Sequence, residues 1–134
     1  MLVLIRGAGD LASGVSLRLH RAGFPVVMTD LPKPTAIRRT VCFSQAIRFG
    51  TTMVEDAEGV CCHTAREVKA ALDAEKIPVL PDETAKCKDW LHPDVLVDGI
   101  LAKKNLGTKM SDAPLVIALG PGFCAGRDCH AVVE

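Results

Sequence analysis

The sequence contains no tyrosine, one tryptophan and four phenylalanines, too few aromatics to furnish a stacking platform for single-stranded bases. Net charge is also missing. Sixteen basic residues balance 16 acidic ones across 134 residues, which removes the long-range pull toward phosphate backbones or anionic lipid. No apolar run approaches the length of a membrane span, and the apolar start from Met1 to Ile5 is interrupted by Arg6 before it reaches a signal-peptide core. Nucleic acid and membrane are therefore not expected partners, and the expected compartment is the cytoplasm. There the six cysteines are expected as reduced thiols. They include no C-x-x-C pair, the spacing that structural zinc normally uses, so no metal is expected. The absence of tyrosine also removes the Tyr-x-x-x-Lys pair of short-chain dehydrogenase chemistry.

What is present is ordinary globular material, 49% hydrophobic and 24% charged, in a chain long enough to bury a core without staples. Residues 2–6, Leu-Val-Leu-Ile-Arg, form a short apolar run suited to a strand buried on both faces. Gly7-Ala8-Gly9 ends it. Leu11, Val15 and Leu19 then recur at helical spacing beside Ala12 and Ala22, and Gly23 stops the helix. Val26 to Asp30 supplies a second strand and completes a βαβ unit of about 30 residues.

Further along, Ser44 precedes a short helix from Gln45 to Phe49, and Thr51 to Glu55 and Val60 to Cys62 are strand candidates. Thr64 and Glu67 form a capping box for a helix carrying Val68, Ala71 and Leu72 on one face. Ile77 to Leu80 is a strand, Asp82 is expected to cap a helix running to Leu91, and Val95 to Val97 and Leu115 to Leu119 are strands, the last expected to be central because it is apolar throughout. This alternation predicts an α/β fold: a Rossmann-like three-layer domain with a mostly parallel sheet covered on both faces. We place that nucleotide-binding domain at residues 1–119, with residues 120–134 as a glycine-rich exit loop and the start of a truncated second domain, since the apolar run Ala131-Val132-Val133 stops at Glu134.

Two segments carry the candidate chemistry. In Gly7-x-Gly9-x-x-Ala12 the first glycine permits a tight turn, the second lets a phosphate approach the backbone, and Ala12 lets helix and strand pack closely. Asp30, about 20 residues onward, is placed to bind ribose hydroxyls. The alternative is a turn that only joins strand to helix. Arg38 and Arg39 would suit a 2'-phosphate, or else form a solvated or subunit-facing surface, which leaves room for a homo-oligomer. The second segment, Gly120 to Gly126, follows a strand at the edge where open α/β sheets bind ligands, and Gly120 and Gly122 are candidates for an anion nest. Beyond it, Asp128, Cys129 and His130 offer an acid, a potential thiolate and a base as candidate catalytic residues. The alternative there is a buried, inert thiol. Cys61 and His63 would share one side of a strand with Cys62 on the other.

The stretches Gly7 to Gly14, Arg18 to Val27, Pro34 to Thr40, Val97 to Thr108, Ala113 to Phe123, Ala125-Gly126 and Asp128 to Glu134 resemble the YqeB family of accessory proteins in selenium-dependent molybdenum hydroxylase systems. The resemblance implies a Rossmann-like N-terminal part followed by a further domain. It also implies a role in maturing a labile hydroxylase, with its subunits as partners, rather than in turning over its substrate. It assigns no role to Cys61, Cys62, Cys87 or Cys124. Read together, the residues and the resemblance suggest an accessory protein binding a nucleotide or nucleotide-containing cofactor, NAD-like or molybdopterin nucleotide, with its status as an enzyme open. The alternatives are a fragment of an NAD(P)-dependent oxidoreductase and a non-enzymatic scaffold for a hydroxylase subunit.

Overall fold

A computed structural model describes residues 1–33, 42–102 and 104–133 of the chain. The Arg38 and Arg39 readings lie outside the described residues, as do the family-like pieces at residues 34–40, 103 and 134. The run at the start becomes β1, Val3–Arg6, three apolar residues closed by Arg6 and buried along its whole length. α1, Asp10–Arg21, leads to β2, Val26–Asp30. Next come α2, Gln45–Phe49, β3, Thr51–Val54, β4, Ala57–Cys61, and α3, Ala65–Asp73. β5, Ile77–Pro81, α4, Lys88–Leu91, and β6, Val95–Asp98, follow. A 3-10 turn at Met110–Asp112 then precedes β7, Leu115–Leu119, and β8, Ala131–Val133.

The strands form one sheet in the order β3-β4-β5-β2-β1-β6-β7-β8. All neighbours are parallel except the β3–β4 hairpin. Successive side chains of a strand point to opposite faces, and the sheet accordingly has two cores. Val3 and Ile5 join Val26, Met28 and Val97 beside Leu17 of α1 and Ala46 of α2. Leu4 joins Val27 and Leu96 beside Val68 and Ala71 of α3. The result is the three-layer α/β arrangement expected from the sequence.

Three local readings change. α1 buries Ala12, Ser13, Ser16 and Leu17 most deeply, Val15 and Leu19 pack partly buried against the same core, and Leu11 stays 51% exposed. Small residues win because α1 approaches the backbone closely: a Cβ at Gly99 would lie 3.1 Å from the Ala12 Cβ. The helix expected from Asp82 to Leu91 shortens to Lys88–Leu91, because Ala85 takes a left-handed φ of 54° that a helix cannot continue through. Asp82 still accepts the N–H groups of Lys86 and Cys87 at 3.0 and 2.8 Å. Finally, β7 is the penultimate strand, with Leu115 exposed, because β8 pairs outside it. Apolar composition alone does not make a strand central.

The capping box at α3 forms as read: Thr64 Oγ1 accepts the Glu67 N–H at 3.2 Å, and Glu67 Oε1 accepts the Thr64 N–H at 3.2 Å. Replacing Thr64 by alanine should lower stability by about 1 kcal/mol, seen in urea unfolding as a lower midpoint at unchanged slope. An unchanged midpoint would show that the cap contributes nothing.

Candidate functional site

β1 ends at the point where the strand order turns back, β2 on one side and β6 on the other, and the C-terminal edge of such a switch point is where open parallel sheets bind ligands. Gly7 leaves β1 at φ 99°, and its N–H donates to Thr29 O at 2.7 Å. A Cβ there would stand 2.9 Å from the Gly99 carbonyl oxygen, so this glycine seats the turn against the loop that follows β6. Ala8 is held on both sides. Its N–H donates to Asp30 Oδ2 at 3.2 Å, and its carbonyl accepts from Ser44 N–H at 3.1 Å and from the Ser13 hydroxyl at 3.2 Å. Ser13 Oγ in turn accepts the Phe43 N–H at 2.9 Å, which ties the chain before α2 to the turn.

Gly9 differs from both. It caps α1 in an extended conformation with no side-chain cap, and a Cβ built on it meets nothing within 4 Å. The N–H groups of Gly9 and Ala12 have no partner among the described residues, so the positive end of the α1 dipole is presented to open space. That space is a cleft of about 860 Å³ bounded by the glycine turn, the end of β2 and the loops after β5 and β6. Asp10 and Asp30 stand on its wall, with Leu11, Leu31, Ile100, Leu101 and Leu106 forming much of the rest. Asp30 also accepts the Leu31 N–H at 2.8 Å.

At the end of β1, Arg6 underlies this cleft almost fully buried, a residue that the sequence reading noticed only as a break in the apolar run. Its Nη1 donates to Thr108 Oγ1 at 2.7 Å, and its Nη2 donates to the carbonyls of Glu83 and Leu106 at 3.2 and 3.1 Å. The Thr108 hydroxyl donates onward to Asp98 Oδ2 at 2.6 Å, and Asp98 sits opposite Arg6 in the β1–β6 register. A charged residue closing a strand otherwise buried on both faces was the available signal.

The second segment is arranged differently from its sequence reading. Gly120 and Gly122 have φ of 85° and 97°, yet neither lines the cleft. The Gly120 N–H donates to Val133 O at 2.8 Å, and a Cβ there would press on Leu101 Cδ2 at 2.8 Å. Cys129 lies in the core rather than at a functional edge, and burial, followed by the charge of Asp128, raises its thiol pKa. His130 Nδ1 accepts the Val116 N–H at 2.8 Å, which fixes the ring against β7 instead of beside the thiol. Asp128 accepts the Cys124 N–H at 2.9 Å and is held low in pKa first by Arg127 and then by that bond. Asp128 holds the turn, His130 is bonded to β7 and Cys129 packs in the core, so the three side chains serve different neighbours. Elsewhere, Cys61 Sγ lies 3.7 Å from His63 Nε2, and Cys62 faces the core.

No family model matches the chain, and no solved structure matches it. The chain is 51% identical over 133 residues, 99% of its length, to a protein of Escherichia coli (strain K12) described as "Uncharacterized protein YqeB". The resemblance to the YqeB family is thereby supported. The matched region makes up 25% of YqeB, so this chain spans about a quarter of the length of the curated relative it matches.

Two predictions follow from the geometry. Burial raises the Asp30 carboxyl above its ordinary range, against the lowering effect of the Leu31 and Ala8 N–H donors. A raised carboxyl favours the protonated acid in the fold, so its contribution is complete below the ordinary pKa and is lost as pH rises through the folded value. Asp30→Asn cannot ionise. Its stability relative to wild type should therefore increase as pH is raised from about 3 to 7, measured by urea unfolding; parallel pH curves would remove the ionisation cost from Asp30. For the thiols, native protein should alkylate at exposed Cys124, while buried Cys129 reacts only on unfolding. Rapid native labelling of Cys129, slowed by His130→Ala, would restore the pair as a reactive centre.

Proposed function

We propose that the cleft binds a nucleotide or nucleotide-containing cofactor, NAD-like or a molybdopterin nucleotide, in a protein that serves maturation of a selenium-dependent molybdenum hydroxylase and docks with its subunits. The observation that carries the binding half is the open approach at Gly9, where an uncapped helix N-terminus meets a cleft at the switch point of the sheet. A phosphate would take the N–H groups of Gly9 and Ala12. Each Asp30 oxygen already accepts one backbone N–H and keeps a further lone pair for a ribose hydroxyl. Asp10 and Asp30 together make that rim acidic, which disfavours an added 2'-phosphate. The pathway half rests on the role that the resemblance to the YqeB family implies, a likeness supported by the 51% identity to YqeB.

The test is a thermal-shift and calorimetric panel of nicotinamide, flavin, adenine, guanine and molybdopterin nucleotides. A ligand at 100 times its Kd should add about 2.7 kcal/mol of stability, and ligands without a 2'-phosphate should be preferred. Gly9→Val should fold normally, because its side chain enters open space, and should lose that stabilisation. Retained binding in folded Gly9→Val would move the phosphate elsewhere.

A further inference from the structure

Leu11, Leu101 and Leu106 are 51%, 39% and 43% exposed, and all three stand on the wall of the same cleft. They come from two separate segments, the first turn of α1 and the loop after β6. Exposed leucines scattered over a surface need no explanation, but an apolar group gathered at one concavity marks a binding surface. Two described residues of that loop are anchored. Asp98 Oδ1 accepts the Ile100 N–H at 3.1 Å, and the Leu106 carbonyl accepts from Arg6 at 3.1 Å. Between these anchors Leu101 takes a left-handed φ of 60°, a strained backbone for a bulky side chain of the kind that recurs at ligand clamps. Gly120 makes room for it: a Cβ there would lie 2.8 Å from Leu101 Cδ2.

We infer that these leucines form an apolar lip that grips the heterocyclic base of the ligand, and that Leu101, Leu106 and Leu11 decide affinity for a base-bearing nucleotide over its sugar phosphate. The inference rests on the nucleotide reading of the same cleft. A flat ring is the occupant that suits it, because the lip is continuous with the uncapped turn at Gly9 and with Asp30, and because the cleft's volume of about 860 Å³ lies in the small-ligand range. Gly120 then acts through Leu101 as a positioning residue rather than on phosphate.

Calorimetric titration of the protein with AMP, GMP and ribose 5-phosphate tests this. Wild type should bind at least one of the two nucleotides at least about tenfold more tightly than ribose 5-phosphate, a gap of about 1.4 kcal/mol. In Leu101→Ser/Leu106→Ser the gap should fall below about threefold, with ribose 5-phosphate affinity unchanged, and Leu11→Ser, on a separate element, should act in the same direction. Circular dichroism and the unfolding midpoint confirm that the variants fold. Equal affinities in wild type, a gap that survives in the double variant, or an equal fall for sugar phosphate and nucleotide would each overturn the lip while leaving the phosphate site standing. If none of the three probes binds wild type, the nucleotide reading fails and the lip goes with it.

Discussion

A guanidinium buried at the end of the central strand organises this edge of the molecule. An isolated buried cation is strongly unfavourable, and the two Nη groups of Arg6 draw in three acceptors from two distant loops, while its buried Nε has no hydrogen-bond partner among the described residues. The Glu83 carbonyl brings the loop after β5 to the wall, and the Leu106 carbonyl and Thr108 hydroxyl bring the loop after β6. Asp98 compensates the charge through the Thr108 hydroxyl, and Asn105 holds Thr108 in place by exchanging bonds of 2.7 and 2.8 Å with its backbone. Strand order alone creates a switch point. The loops around Arg6 give it walls.

Close backbone approach then sets the shape of the opening. Gly7 lies against Gly99, and Gly99 lies against Ala12, so the turn after β1, the loop after β6 and the first turn of α1 pack without side chains between them. Gly9 alone in this group has empty space at its Cβ position. The contrast separates two settings that look identical in a glycine-rich string: some small residues close a packing contact, while Gly9 faces the open cleft. Asp30 combines both kinds of work, since it holds Ala8 in the turn while remaining on the cleft wall.

The thiols follow the opposite logic. Cys42, Cys62, Cys87 and Cys129 are buried, where a thiolate is disfavoured by desolvation. Burial pushes Cys62 up to about 11, and it raises Cys42, Cys87 and Cys129 as well. These four thiols therefore serve packing, whereas Cys124 is exposed and Cys61 half-buried. The matched region makes up a quarter of YqeB, and within it the cleft is open at Gly9.

Much of the architecture was legible one residue at a time. A four-residue apolar run, a glycine turn and a helical period are local signals, and so is the Thr64 to Glu67 box, because its hydrogen bonds span only three residues. Those signals determined the α/β class and most elements, and they singled out Gly9 and Asp30, which the structure places on one cleft. What lay beyond them depends on groups that meet across the sheet. Nothing local to Arg6 announces Thr108, nothing local to Gly120 announces Leu101, and adjacency in sequence placed Cys129 beside His130 although their side chains serve different neighbours. The sequence determined which residue types stand at each strand end; only the tertiary structure decided which of them face one another, because burial and hydrogen-bond reach are set by the packing of distant segments.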